Sequence, residues 1–192
     1  VDPMYPITRH VLDNVRRTLD LLDNLGVRAT FFALGKACER FPQLLPAVAK
    51  AGHEIASHGY GHQLVHQLTP QAFETDARRS IEIIESQTGC RPEGYRAPAF
   101  SITDRSLWAP AILADLGFRY SSSVFPIRGR RYGIPEAPRR PFRWPDTSLI
   151  EFPMATIQLL GRRMPACGGG YTRLLPAGLQ AWAIRQMNRQ NT

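Results

Sequence analysis

The sequence predicts an α/β fold built on a parallel sheet, and three observations lead to this prediction. Segments with the three- and four-residue apolar repeat of an amphipathic helix alternate with short strand-like segments. The run 29–34 is apolar without alternation, which is typical of a strand buried on both faces. A glycine stands directly after the last residue of most of these segments. Alternation of helix and strand is typical of right-handed βαβ units.

The first four elements each carry a local signal. Residues 11–25 place apolar side chains on one helical face and Arg and Asp on the other, and Gly26 ends the helix. The strand 29–34 ends at Gly35. A helix over 42–51 is stopped by Gly52, and a weaker strand follows over 53–57.

The next elements repeat the pattern. Thr69 as N-cap and Pro70 in the first turn predict a helix to residue 87, before Gly89. The remaining predicted elements are a strand over 93–97, a helix over 103–116, strands over 118–122 and 149–152, a long Pro-rich loop over 126–145, a flexible turn at 168–170 and a helix over 179–187.

Length and composition indicate one globular domain over residues 1–192, with 43% hydrophobic residues. No run of 18 apolar residues exists, so no transmembrane helix is expected, and the first residues lack a signal-peptide pattern. Cys38, Cys90 and Cys167 are odd in number and lack the CxxC spacing of zinc sites. We therefore expect free thiols and a cytoplasmic location.

The net charge of +8 comes almost entirely from arginine, and its densest cluster lies within 128–143. This cluster favours a solvated loop face with some affinity for polyanions, and a specific contact with an anionic substrate is the alternative. Neither zinc-finger nor helix-turn-helix spacing accompanies the charge, so we expect no specific nucleic-acid partner.

His58 and His62 are the candidate metal ligands. Gly59 and Gly61 lie between them and disfavour a helix, so a tight turn at a strand end is expected. Imidazoles suit zinc and related divalent ions, but a catalytic site needs about three protein ligands. Taken alone, the pair leaves open a second interpretation, that of two surface or capping histidines.

Arg96 lies at the end of the third predicted strand, and its guanidinium could bind a carboxylate through two hydrogen bonds. The alternative is an arginine paired with a surface acid. Position decides between these interpretations, because ligand sites of βα proteins gather at the carboxyl ends of parallel strands. His58, Arg96 and residues 121–123 all lie at or directly after the carboxyl ends of predicted strands, which favours a site at this edge.

The motifs S57-H-G-Y-G-H62 and R96-A-P-A-F100 resemble the second and third motifs of the family 4 carbohydrate esterases, the polysaccharide deacetylases. The resemblance extends from about residue 11 onward. It is closest to the bacterial subgroup linked to exopolysaccharide biosynthesis and exosortase systems.

The resemblance implies a deformed (β/α) barrel of about seven strands that deacetylates an N-acetylated polysaccharide or oligosaccharide. His58 and His62 would hold a divalent metal, expected to be zinc, together with one Asp. Arg96 would orient a second Asp that acts as base, and the backbone N–H of Phe100 would help to hold the oxyanion. Tyr60 and Pro98 would contact the substrate.

The sequence departs from that family in three places. Asp2 and Asp13 lack the surroundings of the family's Asp-bearing first motif, no histidine follows His66, and Ser121 stands where the subgroup has Asp. We therefore expect an internal fragment without the first and last strands, which is inactive alone. The alternative functions are a catalytically incomplete glycan-binding or scaffold domain and, more weakly, a polyanion-binding protein.

Overall fold

The computed structural model describes residues 10–129, 132–159, 161–166, 173 and 176–191. The described α-helices are α1 (His10–Asn24), α2 (Gly35–Arg40), α3 (Leu44–Lys50), α4 (Pro70–Thr88), α5 (Ala109–Asp115) and α6 (Ala177–Asn191). The described strands are β1 (Thr30–Ala33), β2 (Glu54–Ser57), β3 (Gly94–Tyr95), β4 (Tyr120–Ser121), β5 (Phe142–Arg143), β6 (Ile150–Glu151), β7 (Thr156–Leu159) and β8 (Arg162–Pro165).

Six of these strands form one sheet in the order β1-β2-β3-β4-β6-β5, and β7 and β8 form a separate hairpin. Every pairing from β1 to β6 is parallel, and only β5 runs antiparallel, against β6. The predicted α/β fold with a parallel sheet is thus confirmed. Within the described residues the sheet is open, with β1 and β5 at its edges, and it does not close into a barrel.

The region after β1 differs from the prediction. A six-residue helix, α2, begins directly at Gly35, where the sequence suggested only a strand end. The predicted helix 42–51 is the shorter α3, because the chain breaks at Phe41 before Leu44 restarts the helix. The start of α5 also lies later than expected. Thr103 and Ser106 form a hydrogen-bonded turn, and the helix begins at Ala109 with Pro110 in its first turn.

The Pro-rich segment 126–145 contains β5, which the sequence did not predict. The hairpin β7–β8, with Gly161 at φ +73° in its turn, was also missed. The Gly168–Gly170 turn, Cys167, Asp2, Arg130 and Arg131 lie outside the described residues.

The main hydrophobic core lies between the sheet and helices α4 and α5. It is built around Phe73, Ile81, Tyr95, Leu113 and Leu149, each 3% exposed or less. A smaller cluster of Ile157, Ala166 and Ala183 joins the hairpin to α6. Among the described helices, none is both long and apolar enough to span a lipid bilayer.

Candidate functional site

Polar residues follow the neighbouring strands β2, β3 and β4 at one edge of the sheet. Beyond each strand end the ladder continues: His58 N–H donates to Ala33 O at 2.8 Å, Arg96 N–H to Ser57 O at 2.8 Å and Ser122 N–H to Tyr95 O at 2.9 Å. Because parallel strands share their direction, His58, Arg96 and Ser122 stand side by side. This confirms that the polar residues predicted at strand ends converge on one edge.

The segment from His58 to His62 is a turn and not a helix, as its glycines predicted. Gly59 has φ +71° and His62 itself has φ +58°, both in the left-handed region. The turn brings the two imidazole rings to a centroid separation of 5.3 Å at an interplanar angle of 66°. The two histidines therefore lie close enough to serve one small ligand.

The surroundings of His58 fix its protonation. Its Nδ1 lies 2.6 Å from the carbonyl oxygen of Arg96, and a carbonyl can only accept, so Nδ1 carries the proton. Burial lowers the pKa of His58 to about 4, which outweighs the hydrogen bond to Arg96 O. The imidazole is therefore neutral near pH 7, with the lone pair on Nε2, as metal ligation requires.

Helix α4 supports this turn through two side chains that the sequence analysis did not single out. Ser80 Oγ lies 2.5 Å from Ser57 Oγ, which in turn accepts from Gly59 N–H at 3.1 Å. The Asp76 carboxylate accepts from two amides of the turn. Both residues lie on or beside the inner stripe of α4 that also carries Phe73 and Ala77. A polar residue within such a stripe is the signal that could have revealed them.

Arg96 is held rigidly at the end of β3. Its Nε donates to Ser122 O at 3.0 Å and its Nη2 to Ser122 Oγ at 2.8 Å. Its guanidinium stacks 4.0 Å from the Phe32 ring centroid. A planar, charged group fixed at the shared edge has the geometry to bind a carboxylate, and the orienting role of Arg96 stays a prediction.

Ser121 belongs to a buried hydroxyl network beneath Arg96. Its Oγ donates to Ser123 Oγ at 2.8 Å, which accepts from Ala97 N–H at 2.9 Å. The fully buried Glu151 Oε1 accepts from Ser123 N–H at 2.7 Å and Val124 N–H at 2.9 Å. Glu151 Oε2 accepts from Trp144 Nε1 at 3.3 Å. From the sequence alone, Glu151 is only one residue of the predicted strand 149–152.

Three predicted site residues have contacts that differ from their expected roles. The Phe100 N–H donates to Ala97 O at 3.0 Å, so it is engaged and does not point to a substrate oxygen in this conformation. The neighbouring Ala99, exposed and at φ +51°, has no acceptor for its N–H within the described residues. Pro98 is fully buried, which leaves its ring no surface for substrate. The Tyr60 hydroxyl donates to Glu39 Oε2 at 2.9 Å.

His53 and His66 have structural contacts. His53 is buried, and its Nδ1 accepts from Ala29 N–H at 3.4 Å. The His66 Nδ1 lies 3.3 Å from Ser101 O. Cys38 and Cys90 are free thiols, and burial raises the pKa of Cys38 to about 12, so its thiol stays protonated. Asp13 is exposed beside Arg16.

His58 and His62 fit a divalent metal in part. The neutral His58 has the correct tautomer and lies beside His62, which meets the requirement for imidazole ligands. In the part of the chain that the structure describes, no group of three or more His, Cys, Asp and Glu side chains could complete a metal site. The pair therefore supplies two ligands of the roughly three that a catalytic zinc site takes.

Comparison with known proteins identifies the class of this α/β fold and its histidine pair. The family model described as polysaccharide deacetylase matches residues 5–121, and a domain of unknown function (DUF3473) matches residues 122–192. The first match covers more than half of the chain. The chain belongs to the polysaccharide deacetylase family.

Individual relatives agree with this assignment. The peptidoglycan deacetylase-like protein FGM2 of Gibberella zeae is 38% identical over 112 residues, which cover 57% of this chain and 32% of that protein. The peptidoglycan deacetylase of Helicobacter pylori is 31% identical over 110 residues, covering 57% and 36%. The chain thus spans about a third of the length of these curated relatives.

Solved structures show the same fold. A candidate polysaccharide deacetylase from Mycobacterium smegmatis superposes with a TM-score of 0.62 at 27% identity, covering 88% of this chain and 60% of that one. A CE4 family pseudoenzyme from Bacillus anthracis, 22% identical, gives a TM-score of 0.51 over 55% of this chain and 37% of that chain, and shows the fold alone.

Proposed function

We propose that this chain forms the central part of a metal-dependent hydrolase that removes acetyl groups from N-acetylated sugars of a glycan. The observation that carries the proposal is the neutral His58 beside His62, at the same sheet edge as Arg96. Relatives described as peptidoglycan deacetylases support the choice of an N-acetylated glycan as substrate.

His58 and His62 would hold the metal, which we propose to be zinc because neutral imidazoles suit that ion. A bound zinc ion supplies Lewis acidity toward an amide carbonyl and toward water. The protein's own contribution is the fixed tautomer of His58, which presents Nε2 to the ion.

Arg96 contributes through position. Its hydrogen bonds to Ser122 and its stacking on Phe32 fix the guanidinium, so a carboxylate that it binds would also be fixed. A donor for the developing oxyanion would come from the turn over residues 97–100. The Ala99 N–H, which has no acceptor among the described residues, is available for this role, whereas the Phe100 N–H is engaged by Ala97 O.

The finer assignments rest on the sequence. We propose an exopolysaccharide as the glycan because five stretches resemble the exopolysaccharide-associated subgroup, namely residues 29–35, 52–62, 94–98, 125–128 and 168–171. The cytoplasmic location stays a prediction that depends on the unpaired cysteines.

Zinc titration tests the proposed ligands. We expect His58→Ala and His62→Ala each to weaken zinc binding by the chain more than tenfold, because each removes one ligand, whereas His10→Ala leaves it unchanged. Acetate release from N-acetylated chitooligosaccharides by the full-length gene product, measured with and without zinc, tests the reaction. Unchanged affinity in both histidine variants would contradict the metal site.

A second function, a glycan-binding domain without catalysis, is favoured by the lack of a three-ligand group within the described residues. Chitooligosaccharide binding without acetate release, in a full-length product loaded with zinc, would support it over the hydrolase.

A further inference from the structure

The carboxylate of Asp76 lies beneath the turn that joins His58 to His62. Its Oδ2 accepts from Tyr60 N–H at 2.8 Å, and its Oδ1 accepts from Gly61 N–H at 2.8 Å. Both amides belong to residues between the two histidines. One carboxylate with two acceptor atoms therefore orients two successive N–H groups of the segment that spaces the imidazoles.

The opposite side of the same turn is held by α2. The carbonyl oxygens of Gly59 and Tyr60 accept from Gly35 N–H at 2.9 Å and Lys36 N–H at 3.1 Å. The turn is thus hydrogen-bonded to backbone donors of α2 and to a side-chain acceptor of α4. Removal of either partner frees the peptide planes that set the position of His62.

The two glycines of the turn make room for this carboxylate. A Cβ at Gly59 would lie 2.7 Å from Asp76 Oδ2, and one at Gly61 would lie 3.1 Å from Asp76 Oδ1. Gly59 also needs its positive φ of +71°. From the sequence, these glycines indicate only a tight turn. The structure shows that what they approach closely is Asp76.

We propose that Asp76 is a positioning residue for the candidate metal site. It acts through the Tyr60 and Gly61 amides and does not itself ligate the ion, because both of its oxygens are directed to backbone donors. This inference rests on the proposed function, since it takes His58 and His62 as ligands of one divalent ion. A purely structural role for Asp76 would change stability without changing metal affinity.

The test compares Asp76→Asn with Glu82→Gln in the 192-residue chain. Both substitutions lie on α4 and remove one negative charge, but the Glu82 side chain is exposed, so Glu82→Gln is the control for loss of charge alone. The Asn amide turns an N–H group toward one of the two backbone donors, so one hydrogen bond is lost. Zinc affinity is measured by competition with a chromophoric chelator, metal-free stability by urea unfolding, and exchange of the Tyr60 and Gly61 amides by NMR.

We expect Asp76→Asn to weaken zinc binding about tenfold or more, as loss of a group that orients a ligand does. Amide exchange at Tyr60 and Gly61 should accelerate at least tenfold without metal, and Glu82→Gln should change neither quantity. Wild-type zinc affinity in Asp76→Asn would overturn the positioning role, whatever happens to stability.

If Asp76→Asn does not fold, Gly61→Ala tests the same contact from the other side, because its new Cβ would press on Oδ1. A several-fold loss of zinc affinity supports the proposal, and unchanged affinity overturns it. If the wild type does not bind zinc, or if His58→Ala leaves zinc binding unchanged, then the proposed metal site is wrong and the positioning role of Asp76 is wrong with it. That outcome differs from failure of the Asp76 role alone, in which the wild type binds zinc through its histidines.

Discussion

Replacement of Glu151 by alanine should destabilise the fold more than any exposed acidic substitution. The Glu151 carboxylate is fully buried and accepts from the amides of Ser123 and Val124 and from the indole of Trp144. In Glu151→Ala all three donors lose their acceptor. Ser123 and Val124 are themselves 0% exposed, so water cannot readily replace the lost bonds.

The magnitude follows from these donors. A buried donor without a partner costs roughly 1–3 kcal/mol, so the two amides together give about 2–6 kcal/mol. Removal of a carboxylate that burial disfavours offsets part of this loss. We therefore expect the free energy of unfolding to fall by about 3 kcal/mol. Glu151→Gln keeps an oxygen for the two amides and loses mainly the Trp144 bond, at a cost of about 1 kcal/mol.

Urea unfolding followed by tryptophan fluorescence and circular dichroism measures these values. Glu136→Ala is the control, because Glu136 is exposed and its removal should change stability by less than about 0.5 kcal/mol. If Glu151→Ala lies within about 1 kcal/mol of the wild type at an unchanged m-value, the buried network does not stabilise the fold as argued.

Three further outcomes are expected. Burial raises the pKa of Glu151 above its ordinary 4.5, so the stabilisation from its protonated form is complete below pH 4.5 and is lost as pH rises through the raised pKa. The stability advantage of the wild type over the non-titrating Glu151→Gln should therefore shrink from pH 4 toward pH 7. An advantage that grows over this range would refute the expected direction. Arg96→Lys keeps the charge but not the planar fork, so the full-length product should lose more than tenfold in kcat with an unchanged circular dichroism spectrum, whereas the exposed Arg105→Lys keeps wild-type turnover. Gly94→Ala places a Cβ in the Tyr120 ring on the adjacent strand, which the Tyr120 hydrogen bond to Glu54 holds in place, and should cost about 2–3 kcal/mol in thermal or urea unfolding. Gly178→Ala, whose new Cβ meets no described atom within 4 Å, is the matched control and should be neutral or slightly stabilising.

The parallel sheet and the convergence of His58 and Arg96 could be predicted because both depend on local patterns. Apolar runs mark buried strands, and residues that follow parallel strands must share an edge. Strand pairing of only two residues, as in β5, leaves no such pattern. Strand β5 forms because it pairs with β6, and the local sequence of the Pro-rich segment carries no information about that partner.

The supporting residues were harder to find because their partners are distant in sequence. Asp76 lies 15 and 16 residues beyond the two amides that it binds, and Glu151 lies 27 and 28 residues beyond its two amides. Each is a charged residue within an apolar pattern, on a helix stripe or in a buried strand. The role of Phe100 depends on the local φ values of the turn, which residue identity does not determine.

The Ser121–Ser123 network has a consequence for how this chain could have been assembled in evolution. The boundary between the two family matches falls between Ser121 and Ser122, whereas one buried set of hydrogen bonds continues from Ala97 through Ser123 to Glu151. Strand β4 pairs with β3 on one side of that boundary and with β6 on the other. The two sequence modules are therefore not separate folding units. An ancestor that exchanged the second module would have had to inherit Glu151 or an equivalent acceptor with it, and chimaeras joined at residue 121 should succeed only between relatives that share this network.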